Sequence, residues 1–187
     1  MFRFSKRAFI LSAVAGTAFT LAGCKTTTEG NTTSVVLDTS KIKNYASAGV
    51  NAALMMIGIT DTVPGLTRFS DDLRKGISRI QIALSTFDQI VGDNVTFSYD
   101  STSYKTIVDS LLNGISDVLS IIETISKSNI FNTEISSTIS KTVLSINTAL
   151  STIVNIYRVM IGLSINVASD GTAGMTEDEA LSTLNVN

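Results

Sequence analysis

Apolar residues recur every three or four positions along four long stretches of this chain, the period of a helix that buries one face. The first stretch spans 39–59, with Ile42, Tyr45, Ala46, Val50, Ala53, Leu54 and Ile57 as its apolar stripe. Asp38, Thr39 and Ser40 precede it as capping residues, whose side-chain oxygens accept from the free N–H groups of a first turn. Pro64-Gly65 then breaks the chain. The second stretch spans 67–91 and carries Leu66, Phe69, Leu73, Ile77, Ile80, Leu84, Phe87 and Val91. Its acids Asp71 and Asp72 come before its bases Arg74, Lys75 and Arg79, the order the helix dipole favours. Gly92-Asp93-Asn94 closes it. The third spans 103–127, with Tyr104, Val108, Leu111, Ile115, Val118, Ile122 and Ile125 in line, Leu112 and Leu119 widening the stripe, and Asp100, Ser101 and Ser103 available as caps. The fourth spans 133–167, after a turn at Ser128-Asn129, on Ile135, Ile139, Val143, Ile146, Leu150, Ile153, Tyr157 and Met160.

Two shorter features complete the pattern. Residues 95–99, Val-Thr-Phe-Ser-Tyr, alternate as a strand does but are too few to found a sheet alone, and read as an extended connection. Thr176 before Glu177-Asp178-Glu179 reads as the cap and acidic first turn of a short helix over 177–184. One seam per helix and short links predict an all-α fold: a four-helix bundle, mainly antiparallel, over 39–169, with a tail over 170–187 that holds the short helix. About thirty buried Leu, Ile, Val and Phe positions, at roughly 1.5–3 kcal/mol each, give such a bundle an adequate core without metal or disulfide.

Composition narrows the chemistry. Charged residues are 16% of the 187, against about 25% in an ordinary globular chain, so Ser, Thr and Asn must supply much of the polar surface. There is no His, which removes the commonest acid–base group and metal ligand at neutral pH and rules out a Ser-His-Asp triad. The acids Asp71, Asp72, Asp109, Asp117 and Glu123 have no accompanying nucleophile motif or calcium loop and read as a solvated face. Lys41, Lys43, Lys75, Lys105, Lys127 and Lys141 leave a Ser–Lys pair open, with no spacing that selects one. No Gly-rich phosphate loop is present. The expectation is a protein that is not an enzyme and needs no cofactor.

The first 24 residues carry the sharpest signal. Arg3, Lys6 and Arg7 precede a short apolar run over 8–20, the layout of a secretory signal segment. That run is too short for a span of about 20 residues. It leads into Leu21-Ala22-Gly23-Cys24, and Cys24 is the chain's one cysteine. These four residues resemble the lipobox of bacterial lipoproteins. The resemblance implies cleavage before Cys24, with Leu21, Ala22 and Gly23 read by the signal peptidase, and a diacylglycerol on the Cys24 sulfur. Two or more acyl chains anchor stably where one does not. Lys25 would follow the lipidated residue. By resemblance to enterobacterial sorting, which retains at the inner membrane on Asp, Lys25 points to the outer membrane, facing the periplasm. Losing three of the 14 basic residues with the segment 1–23 leaves 11 against 16 acids, a net of −5. Such a chain, without a basic cluster, is not expected to bind nucleic acid.

Residues 24–38 read as the lipidated Cys and a tether, with the Thr-rich 26–34 as a flexible leash of composition too poor in apolar residues to pack. In the body, the small-residue segment 46–59 reads as a closely packed bundle helix rather than a membrane-active one. The apolar stretch 143–167 contains Arg158 and reads as a core helix rather than a span. Ser136 to Thr152 carries many hydroxyls and few charges, compatible with docking on a partner. The function expected is a lipid-anchored, non-enzymatic binding, scaffold or assembly module of the cell envelope, bound to the membrane through its lipid and to another envelope protein or to itself. The alternatives are a membrane-perturbing or pore-forming protein, and a carrier of a small apolar ligand.

Overall fold

The computed structural model describes residues 24–29, 32–99, 102–133, 136–162 and 175–186. The expected signal segment 1–23, with Leu21, Ala22 and Gly23, lies outside these, as do Asp100, Ser101 and Ile135. The fourth long helix, expected to run to 167, ends at Met160, where Gly162 follows with φ +77°. The elements run β1 (Cys24–Glu29), β2 (Thr32–Asp38), α1 (Thr39–Thr60), α2 (Arg68–Val91), β3 (Thr96–Ser98), α3 (Thr102–Ser126), α4 (Asn129–Thr133), α5 (Ser137–Met160) and α6 (Glu177–Thr183).

The four long helices form the expected bundle. Lys43 meets Asp88 at 2.7 Å at one end of the α1–α2 pair, and Asp61 meets Arg74 at 3.1 Å at the other, so the two run antiparallel. α3 packs on both, and α5 packs on α1 and α3, opposite α2. The Asp38 carboxylate accepts from Ser40 N (2.8 Å) and caps α1; the Ser136 hydroxyl accepts from Ile139 N (3.4 Å) and caps α5. The fourth long helix therefore starts a turn later than its apolar period suggests, because Asn129–Thr133 is a separate short helix, α4. At the α1–α2 link, Ser70 donates to Asp61 (2.6 Å) and its hydroxyl lies 2.7 Å from that of Thr60. Ser70, then Arg74, hold the Asp61 carboxyl below its ordinary value. Gly65 turns the chain there with φ +86°, a conformation that side chains with a Cβ avoid.

The buried face of α1 differs from the expected stripe. Leu54 is 53% exposed, while Ala48, Gly49, Ala52 and Met56 join Ile42, Tyr45, Ala46 and Ala53 inside. α1 touches α2, α3, α5, α6 and β2, so no single stripe describes it. Its small residues let the neighbours close in: a Cβ built on Gly49 would lie 2.9 Å from Ile115 Cγ1.

The stretch expected as a tether contains strands. Cys24–Glu29 and Thr32–Asp38 form an antiparallel pair, in register from Cys24↔Leu37 to Glu29↔Thr32. The extended connection at 96–98 is β3, which pairs with Val36–Asp38 and makes a three-stranded sheet in the order β1-β2-β3. Thr favours strands, and the end of the β-ladder is fixed by packing: Leu37 is fully buried, and Phe97 stacks edge-on against Phe87 at 5.4 Å and tilted against Tyr104 at 5.0 Å.

Candidate functional site

Cys24 opens β1 opposite Leu37, one residue before the cap of α1. An acyl group at Cys24 would thus be joined to a rung of the sheet whose other member is a core residue. Lys25 is the next residue of the strand, opposite Val36.

The carboxylates singled out in the sequence do not converge. Asp71 and Asp72 face Arg74 (3.9 Å) and Lys75 (3.0 Å) within α2. Asp117 pairs with Arg79 across α2 and α3 at 2.6 Å, and Glu123 with Lys127 at 3.4 Å. Exposed pairs of this kind contribute little to stability, about 0–1 kcal/mol. Among the described residues no three His, Cys, Asp or Glu side chains come together as metal ligands would. Arg158 reaches from α5 to the Ser116 hydroxyl at 3.5 Å.

One titratable cluster has no counterpart in the sequence reading. Tyr99 donates to Asp109 Oδ1 (2.6 Å), and Lys105 Nζ donates to the Tyr99 hydroxyl (2.7 Å) and to Asp109 Oδ2 (3.2 Å). Burial, then the Asp109 carboxylate, raises the Tyr99 phenol; the bonds to Tyr99 and Asp109 raise the Lys105 ammonium. Both shifts hold the groups protonated and move their titration further above neutral pH, whereas a general acid or base works best with a value near the operating pH. The cluster ties the chain after β3 to the first turns of α3. Its sequence signal is modest: Lys105 and Asp109 stand four apart on one helix face.

Behind it, Tyr157 of α5 donates to the carbonyl of Val108 at 3.1 Å and tilts against Tyr45 at 5.6 Å. Burial, with Asp109 nearby, lifts its phenol well above the ordinary 10.0. A phenol whose folded value exceeds its unfolded one keeps its proton longer in the native state. Its contribution is complete below pH 10.0 and is lost as pH climbs above that value. Tyr157→Phe should change stability at pH 7 by only about 0.5–1.5 kcal/mol, the worth of one hydrogen bond, and should flatten the alkaline loss. Urea titrations across pH 7–11.5 read both, and an unchanged alkaline slope in the variant contradicts the assignment.

Among the grooves on the described surface, two stand beside named side-chain pairs. One, of about 380 Å³ between α2 and α3, is lined by Ile82, Ala83, Ile107 and Gly114, with the Arg79–Asp117 pair at one end. The other, of about 500 Å³, lies where α6 docks on α1. There Lys41 Nζ bridges both oxygens of Glu177 at 3.0 Å, Tyr45 donates to Glu177 Oε1 at 2.7 Å, and Asn51 donates to the carbonyl of Leu184 at 2.9 Å. Ala180 and Leu184 are fully buried. The expected cap is a full capping box: Glu179 accepts from Thr176 N at 2.8 Å, and Thr176 Oγ1 accepts from Glu179 N at 3.3 Å. Thr176→Ala should destabilise this helix by about 1 kcal/mol. Amide exchange over 177–184 should then speed up several-fold while the bundle's slowest amides hold; uniform acceleration throughout would count against a local latch.

Comparisons of the chain with protein-family models, curated proteins and solved structures give no match.

Proposed function

We propose that the chain is cut before Cys24, acylated there, and works at a membrane surface as a non-enzymatic module that binds another protein of the cell envelope. The observation that carries this reading is Leu21-Ala22-Gly23-Cys24 at the end of a basic and then apolar N-terminal segment. Lys25 in the following position favours the outer membrane, facing the periplasm. The binding half of the reading is supported by the outer face of α5. Ser137, Thr138, Thr142, Ser145 and Thr148 are exposed there beside Leu144 (49%) and Val159 (44%), and Lys141 is the sole charge between 137 and 157. A face poor in charge costs little to desolvate against a protein.

The test is mass spectrometry of the N-terminal peptide from membrane-extracted protein. Acyl chains on Cys24 with residues 1–23 removed are expected, and Cys24→Ser should leave the membrane fraction. An intact Met1 end with a free thiol, in the cytosol, would overturn the reading. Photo-crosslinkers at Leu144 and Val159 should capture one specific envelope protein; if neither yields an adduct in intact cells, the binding role fails.

A second reading, insertion of bundle helices into lipid, draws on α5, whose length and apolar content would allow it to cross a membrane. Dye release from vesicles of envelope lipids separates the two: leakage favours insertion, and its absence at high protein-to-lipid ratio removes it.

A further inference from the structure

β1 is the longer of the two outer strands of the sheet. Among the described residues it pairs with β2 alone, so one row of its backbone N–H and C=O groups is open along six residues. Such a row is a template for a further strand, and native edges are commonly blunted by Pro, by a bulge, by cover or by charged side chains, Lys above all. β1 has no Pro and no bulge, and its charges are one of each sign. It reads Cys-Lys-Thr-Thr-Thr-Glu, keeps an unbroken register with β2, and has strand-favouring Thr at its centre. Its two charged residues, Lys25 and Glu29, are opposite in sign and stand equally far from Thr27.

We propose that β1 pairs with β1 of a second copy of this chain, antiparallel about a two-fold axis at Thr27, joining two three-stranded sheets into one of six strands. That axis sets Lys25 of each copy opposite Glu29 of the other, and Thr26 opposite Thr28. Positions 25, 27 and 29 share one face of a strand, so both attractive pairs fall on the same side of the combined sheet. The competing arrangements lose this match. Parallel in-register pairing sets Lys25 against Lys25 and Glu29 against Glu29, which is repulsive, and an antiparallel slip by one residue leaves both charges opposite uncharged positions. A two-fold contact uses the same strand on both copies and closes at the dimer. The inference does not depend on acylation, because the pairing draws on the strand itself and on residues from 25 onward.

Sedimentation of the purified full chain in detergent, with charge swaps, is the test. A reversible dimer is expected. Lys25→Glu or Glu29→Lys alone turns both cross-strand pairs repulsive and should raise the dissociation constant roughly tenfold. The double variant K25E/E29K restores opposite charges and should return it to within about threefold of the parent. In a Cys24→Ser background, Thr27→Cys should give an intermolecular disulfide on mild oxidation, with the helical circular dichroism of the parent. A chain that stays monomeric at every concentration reached overturns the proposal. So does a dimer insensitive to the single swaps, or one that the double swap fails to restore, since either would place the contact elsewhere or assign β1 to a strand of another protein.

Discussion

Ile115→Ala should cost the domain about 2–5 kcal/mol, the range for emptying a well-packed aliphatic site. Ile115 is fully buried at the middle of α3, the helix that packs on α1, α2 and α5 alike. Its Cγ1 would lie 2.9 Å, and its Cγ2 3.3 Å, from a Cβ on Gly49, so it fills the space that Gly49 leaves between α1 and α3. A cavity there cannot be closed by moving one helix without separating it from the others. The measurement is a urea titration at neutral pH: the midpoint should fall while the slope stays as in the parent, because the surface exposed on unfolding barely changes. A loss under 1 kcal/mol would mean that the bundle collapses around this site, contrary to the packing described.

The reverse change at the same contact gives the second large effect. Gly49→Leu forces a side chain into space already held by Ile115 and by Ile80, whose Cδ1 would lie 3.1 Å from the new Cβ. Overpacking costs typically 1–3 kcal/mol, and here it opposes the roughly 1 kcal/mol that replacing a helical Gly would otherwise gain. The net expected is a destabilisation of up to about 2 kcal/mol, read from the same urea titration. Combining Gly49→Ala with Ile115→Val should be milder than the sum of the two single changes, because one removes the volume the other adds. Strict additivity would show that the two residues do not share the contact.

The bundle is legible in the sequence because its helices are long and their apolar period runs through several turns. α3 shows this best: Val108, Leu111, Ile115, Val118, Ile122 and Ile125 are all buried as their spacing requires. α1 is less legible because neighbours crowd it from several sides. With Ala and Gly as the contact residues, apolar counting promotes Leu54 and overlooks Gly49. The sheet is the part that periodicity misses. β3 is three residues long and its partner lies about sixty positions earlier, so no local window contains both. Of the candidate chemistry, the proposal for Cys24 rests on a local motif, whereas the Tyr99–Lys105–Asp109 cluster joins the residue after β3 to the first turns of α3. The docking of α6 through Glu177 on Lys41 and Tyr45 joins residues more than 130 positions apart and leaves no pattern in the chain.

The register Cys24↔Leu37 also decides how an anchored domain would respond to a pull. Force entering at position 24 acts on a strand whose first rung lies beside the bundle and whose last, Glu29↔Thr32, lies at the other end of the ladder. The ladder therefore parts one rung at a time, as a zipper does, instead of shearing all its bonds together. Each opened rung pays out chain, and complete opening of 24–38 yields on the order of 45–50 Å of extension while the helices stay folded. Held closed, the same residues would keep an anchored domain hard against its mooring.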